Sequence, residues 1–239
     1  MKTYHYLKKK AIKLLESWTG NYDKEEIGPV IYSRWVYEFQ KSTFADEMKS
    51  GFQQFTNTHL AEKVLPVQAE RTESIWWDDI STENKVENKS DIVNTSFRNA
   101  YTFLEHQLGG DVEHWTWDKV ISVEHKHALG EVDWLRPFFN VGPFQTSGGD
   151  QVINNQIYDI DSTGYYKVKA GPSTRRIVDF SDVENSLAIL PTGQSGRIFS
   201  PYYKDQAQRY LRGGFIKMII DSSEVKKSSN VLIIKPGEN

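Results

Sequence analysis

The residues that come nearest to a catalytic motif are Gly193-Gln194-Ser195-Gly196-Arg197. They match the G-x-S-x-G turn that presents a serine nucleophile, except that Arg stands at the fifth position, where the sharp turn requires Gly. Ser195 is therefore expected in a tight glycine turn, not as a free-standing nucleophile. His125 and His127 lie two apart and would share one face of a strand. With His114 or Asp133 they could hold a metal, but spacing fixes no third ligand, so structural histidines are expected. Asp159 and Asp161 precede Gly164 in the manner of a calcium loop that lacks its closing Glu. Asp78 and Asp79 follow Trp76-Trp77; carboxylates adjacent in sequence usually point apart, which favours a helix N-terminal role over paired acid and base. No Walker A or G-x-G-x-x-G sequence occurs. The absence of Cys removes disulfides, thiolate metal sites and a cysteine nucleophile.

The elements that would position these residues read as helices first and strands second. Tyr4, Leu7, Ile12, Leu15 and Trp18 sit near helical spacing, closed by Gly20-Asn21. A helix is expected over 27–39, with Pro29 in its first turn. Short helices follow over 44–65, ended by Pro66, and a strong helix runs over 91–108 to Gly109-Gly110. A strand is expected over 120–125. Residues 130–165, dense in Gly, Pro, Asn and Asp, read as a long functional excursion. Strands are expected over 165–169, 176–180, 186–190 and 231–234, with a short helix over 205–211. The class is α+β, as a single domain-like piece over 1–239, mainly helical over 1–115 and built of strands and long loops over 116–239.

Composition narrows the function. Charged residues make up 26% and hydrophobic residues 38%, which indicates a soluble, folded chain. A formal net charge of −3 gives no electrostatic reason to bind nucleic acid. Lys8-Lys9-Lys10 reads as the wet face of a first helix. No apolar run approaches the ~20 residues that span a bilayer. The start lacks the apolar stretch of a signal peptide, and the compartment stays open. Aromatic residues at 13%, with seven Trp, point to a thick core.

One longer pattern is more specific. The order Gly171-Pro172-Ser173-Thr174-Arg175-Arg176-Ile177-Val178-Asp179, then Gly193-Gln194-Ser195-Gly196, Ser200-Pro201-Tyr202-Tyr203-Lys204-Asp205-Gln206, Tyr210 and Gly213-Gly214-Phe215 resembles the C-terminal signature of the penicillin amidase (penicillin acylase) family. Trp76-Trp77-Asp78-Asp79 with Thr82, Trp115-Thr116-Trp117, His127-Ala128-Leu129-Gly130 and Gly148-Gly149-Asp150 with Asn154-Asn155 fit upstream pieces in order. Tyr210 stands where the family more often has Trp.

The resemblance implies part of an N-terminal-nucleophile hydrolase with an αββα sandwich, acting on acyl amides. In that family a self-cleaved precursor frees an N-terminal Ser that attacks the amide carbonyl, its own amine serving as base. Lys2, exposed if Met1 is removed, is no such nucleophile. The resemblance therefore implies that the Ser, the oxyanion Asn and the calcium-binding acids lie in segments before the matched region. They would come from the upstream part of the same precursor or from a separate subunit. No catalytic residue, metal or other cofactor is expected in this chain, and a small acyl amide is the expected substrate. By the same resemblance, the full-length parent is expected to be periplasmic or secreted. Asp179 falls where some relatives place a carboxylate that orients a His; the alternatives are pairing with Arg175 or Arg176, or capping a turn. Gly148, Gly149, Asp150, Asn154, Arg175, Gln194 and Ser195 are expected as structural residues near the pocket. A non-catalytic binding or assembly module that kept the scaffold is the alternative.

Overall fold

The computed structural model describes residues 2–228 together with Ile234, Lys235 and Gly237, the side chains from Lys8 onward. The chain divides into two compact units, 1–124 with 142–171, and 125–141 with 172–239.

The first unit opens with five helices: α1 (Lys2–Ser17), α2 (Gly28–Met48), α3 (Phe52–Thr56), α4 (His59–Glu70) and α5 (Lys89–Leu108). Pro29 starts α2 as expected, at a position whose N–H has no helical partner in any case. The helix then runs nine residues past the expected end, where Gln40, Thr43 and Phe44 continue its buried side. Pro66 does not end a helix but lies inside α4. It is exposed, so water can meet the carbonyl that its missing N–H leaves open. A capping box starts α5: Asn88 accepts from Ser90 and Asp91, and Asp91 accepts from the Asn88 amide. Gly109 ends it at φ 92, a conformation that costs a residue with a Cβ about 1–2 kcal/mol.

Helices α2 and α5 pack along each other. Trp35 seals the seam, edge-on to Phe97 at 5.4 Å and donating its indole N–H to Ser96 Oγ at 3.0 Å. Three strands follow: β1 (Ile121–His125), β2 (Val141–Phe144) and β3 (Tyr166–Val168), in the order β2-β1-β3. β1 and β3 run parallel, Ile121 opposite Tyr166 and Val123 opposite Val168. Trp115 and Trp117 are fully buried in the core that β1 and β3 share with α1, α2 and α5.

The second unit begins with α6 (Arg136–Phe139), and its sheet is β4 (Arg175–Ile177), β5 (Leu187–Ile189) and β6 (Ile216–Lys217), antiparallel in the order β4-β5-β6. α7 (Ala207–Leu211) and α8 (Ser222–Val225) complete it. Two elements, α6 and β2, occupy what the sequence presents as one long loop. β4 stops at Ile177, short of the expected Phe180, because Asp179 turns the chain through a hydrogen bond from Ser181. The expected strand at 231–234 falls on residues of which 231–233 lie outside the described ones.

Among the described large apolar side chains of the second unit, the buried ones are Val141, Ile189 and Tyr210. Trp134, Phe138, Phe180, Phe199, Ile219 and Ile220 are all exposed, Phe180 and Phe199 by about nine-tenths.

Candidate functional site

The turn at Gly193–Gly196 is built by close approach to the segment at Tyr202. Ser195 donates its amide to the Tyr202 carbonyl at 3.1 Å, and Gln206 donates its own to Thr192 at 3.0 Å. A Cβ on Gly193 would stand 2.0 Å from the Tyr202 carbonyl oxygen, so only Gly fits without moving backbone. The two segments border an open pocket of about 350 Å³ lined by Gln194, Ser195, Tyr202, Asp205 and Gln206. Ser195 Oγ accepts from the Arg197 amide at 3.1 Å. The lining supplies two amides, a phenol and a carboxylate but no imidazole or amine, so it can hydrogen-bond a small polar group. The Ser–His and amine-assisted pairings that activate a hydroxyl are thus not found in this lining. Gly193→Ala is expected to lower stability by about 1–3 kcal/mol through overpacking. Urea unfolding checks the loss, and hydrogen exchange at the Ser195 amide reports whether the turn opened.

Behind that turn, Arg175 on β4 lies with its guanidinium 3.8 Å from the Tyr210 ring centre and donates Nη1 to the Tyr210 carbonyl at 2.9 Å. Tyr210 donates its hydroxyl to the Pro172 carbonyl at 2.7 Å, which ties the Gly171-Pro172 motif to α7. His125 meets the same ring edge-on at 6.5 Å, and burial pushes its imidazole below the usual pKa. His127 is committed elsewhere: its Nδ1 accepts from the Leu129 amide at 3.1 Å, and its ring packs on Phe139 at 4.9 Å. Asp179 sits on an exposed turn, where Ser181 donates both its hydroxyl and its amide, at 2.7 and 2.9 Å. These two bonds, the hydroxyl first, hold its carboxyl below the usual carboxylate range.

In the first unit, Gly148 and Gly149 are forced by packing. Gly148 has φ 106, and a Cβ there would meet the Asn154 carbonyl oxygen at 2.4 Å; one on Gly149 would meet the Tyr22 ring at 2.5 Å. Gly148 donates its N–H to the Tyr22 carbonyl at 2.7 Å and accepts from the Trp117 indole at 2.9 Å. Asn154 closes the loop by donating Nδ2 to the Ser147 carbonyl at 2.9 Å. Burial and neighbouring Tyr32 raise the Tyr22 phenol to about 12. Asp150 is pushed up by burial and by Glu62. Glu62, with its neighbour His59 on α4, is a partner that sequence spacing could not reveal.

Among the described residues no three His, Asp or Glu side chains are grouped to hold a metal ion. Asp159 is paired with Lys169, and Asp161 accepts from the Thr163 amide and hydroxyl. No helix of the described residues is long and apolar enough to cross a membrane.

The Gly193 turn, the Arg175–Tyr210 stack and the Gly148-Gly149 loop each turn a stretch of the sequence signature into a packing necessity. The family model for penicillin amidase matches residues 2–227. The chain belongs to the penicillin amidase family. Its curated relatives include acyl-homoserine lactone acylase QuiP of Pseudomonas syringae pv. tomato, 27% identical over 243 residues that cover 96% of this chain and 29% of that protein. The enzyme of the same name from Pseudomonas fluorescens is 28% identical over 214 residues, covering 87% of this chain and 25% of that protein. That of Pseudomonas aeruginosa is 26% identical over 231 residues, covering 87% and 26%. The chain thus spans 25–29% of the length of these relatives. Among solved structures it is similar to a thermostable penicillin G acylase from Alcaligenes faecalis, at TM-score 0.45 and 14% identity, over 99% of this chain and 47% of that one.

Proposed function

We propose that the chain is the C-terminal part of an N-terminal-nucleophile amidase and contributes helices and strands to its αββα sandwich. The attacking serine, the oxyanion donors and the calcium-binding acids belong to other polypeptide, either the upstream part of one precursor or a separate subunit. In that assembly a free N-terminal Ser attacks the substrate amide carbonyl while its α-amino group, with a pKa near ~8, takes the proton. Amide donors hold the oxyanion, an acyl-enzyme forms and water releases the acid. An N-acyl amide is the favoured substrate class, since the curated relatives are named as acyl-homoserine lactone acylases. In this reading Asp179 serves an imidazole only if the assembled protein brings one to it, and Gly148, Gly149, Asp150, Asn154, Arg175, Gln194 and Ser195 act as pocket scaffold.

The observation that carries the reading is the second unit's surface. Trp134, Phe138, Phe180 and Phe199 lie in water while, among the described residues, Val141, Ile189 and Tyr210 are its large buried apolar side chains. Apolar surface of this kind marks a missing partner. The closed core of the first unit favours the second reading, a self-standing module that kept the scaffold without the chemistry. A dye for exposed apolar surface combined with gel filtration separates the two. The amidase reading expects dye binding and self-association, both reduced by Phe180→Ser/Phe199→Ser. A strictly monomeric chain that leaves the dye dark would favour the module.

A further inference from the structure

The open pocket beside Gly193 has no chemical task in the amidase reading, which gives Gln194 and Ser195 only a scaffold role. Its walls are held in place before any ligand arrives. The Ser195 amide donates to the Tyr202 carbonyl, and the Gln206 amide donates to the Thr192 carbonyl. Preformed walls spare a ligand the entropy of ordering them. Gln206 is the most buried of the five lining residues, at 9% exposed. Its Oε1 accepts from the Leu190 amide at 2.9 Å, so the carbonyl end is committed and Nε2 is the end left to donate. Ser195 Oγ accepts from the Arg197 amide, which leaves its O–H as a second donor. Against these donors stands the Asp205 carboxylate, an acceptor with no hydrogen-bond or ion-pair partner among the described residues. Tyr202, 64% exposed, adds a phenol ring that faces water.

We propose that this pocket binds a neutral monosaccharide ring. A ligand that satisfies a carboxylate and two donors in one small pocket must carry donors and acceptors side by side. A hydroxyl is both at once, and a sugar ring carries several on adjacent carbons. Its C–H face is apolar and suits the exposed face of a tyrosine ring. The volume of about 350 Å³ lies near the lower end of small-molecule sites, about 300–1,000 Å³, as a one-ring ligand requires. Anions are disfavoured because Asp205 brings a negative charge and no lysine or arginine is among the lining residues. A simple ammonium would satisfy Asp205 but leave the Gln206 and Ser195 donors facing a cation. The pocket lies wholly within the second unit, so the proposal goes beyond the amidase reading and its failure would leave that reading untouched.

The test is nitrogen-15 NMR titration of the chain with glucose, galactose and N-acetylglucosamine, with glycine and methylammonium as zwitterion and cation controls. At least one sugar is expected to move the Ser195 amide and the Gln206 side-chain amide in a saturable way. Asp205→Asn and Tyr202→Ala are each expected to weaken that sugar about tenfold or more, since a hydrogen bond to a charged group is worth at least that factor. Both positions are exposed, and an otherwise unchanged amide spectrum shows that the fold is kept. The proposal is overturned if none of the three sugars moves those amides. It is also overturned if both variants bind as the wild type does, or if only glycine or methylammonium binds. Should a variant lose its fold, Overhauser contacts between sugar protons and the Tyr202 ring of the wild type decide: their presence supports the site and their absence contradicts it.

Discussion

Replacing Arg34 by Met is expected to cost the chain about 3–5 kcal/mol, because it strands the Glu38 carboxylate in the core. The two side chains are 4% and 5% exposed and form an i,i+4 ion pair on α2. Arg34 also donates Nη1 to the Ser162 carbonyl at 3.0 Å and lies 3.3 Å from the Phe103 ring centre and 4.7 Å from that of Tyr37. One cation thus joins α2, α5 and the loop before β3. For a chain of this size the loss corresponds to a fall in Tm of roughly 6–20 °C. The decisive comparison is the double variant Arg34→Met/Glu38→Leu. It removes both charges and is expected to recover most of the loss, since the dominant cost is the stranded charge and not the lost attraction. A double variant as unstable as the single one would show that the contacts to Ser162 and Phe103 carry the stability instead. Thermal melts of the three proteins at one pH are sufficient.

Trp117→Ala is expected to be as damaging, at about 3–5 kcal/mol. The side chain is fully buried and sits among the rings of Tyr22, Tyr158 and Tyr166, at centroid distances of 5.5, 5.8 and 5.1 Å. Its indole N–H also satisfies the Gly148 carbonyl, so truncation opens a cavity and leaves a buried acceptor without its donor. Trp117→Phe separates the two effects. It keeps much of the ring volume and is expected to cost about 1–3 kcal/mol, the range for an unsatisfied buried group. Urea titrations of both variants give the split, and equal losses for Phe and Ala would assign the whole effect to the hydrogen bond.

What the sequence reveals of this fold follows from how local the determinants are. The end of α5 is legible because Gly109 takes a positive φ that Leu108 before it could adopt only at a steric cost. The Gly193 and Gly148-Gly149 turns are legible for a similar reason: small residues cluster where backbones nearly touch. The course of α4 is not, because a proline inside a helix reads as a stop unless its exposure is known. Strand β6 and helix α6, at two and four residues, carry too little pattern to be seen. At the candidate site, Ser195 and Arg175 are visible as motif residues, but their surroundings are not. Arg175 meets the Tyr210 carbonyl across 35 positions, and Gln151 meets Glu62 across 89, and no periodicity links residues so far apart. His125 and His127 look like a pair in sequence, yet β1 ends between them and sends them to different neighbours, Tyr210 and Phe139.

The unequal burial of the two units has a chemical counterpart. The pocket beside Ser195 offers hydrogen-bonding groups and one carboxylate, Asp205, with no imidazole or amine in its lining. The proposed function places the acylase chemistry on other polypeptide, and the purified chain supplies the direct test. Incubated with an N-acyl-homoserine lactone and with a phenylacetyl amide, it is expected to release no acid above the buffer rate. Reproducible hydrolysis that disappears in Ser195→Ala would contradict the account and make this chain an enzyme in its own right.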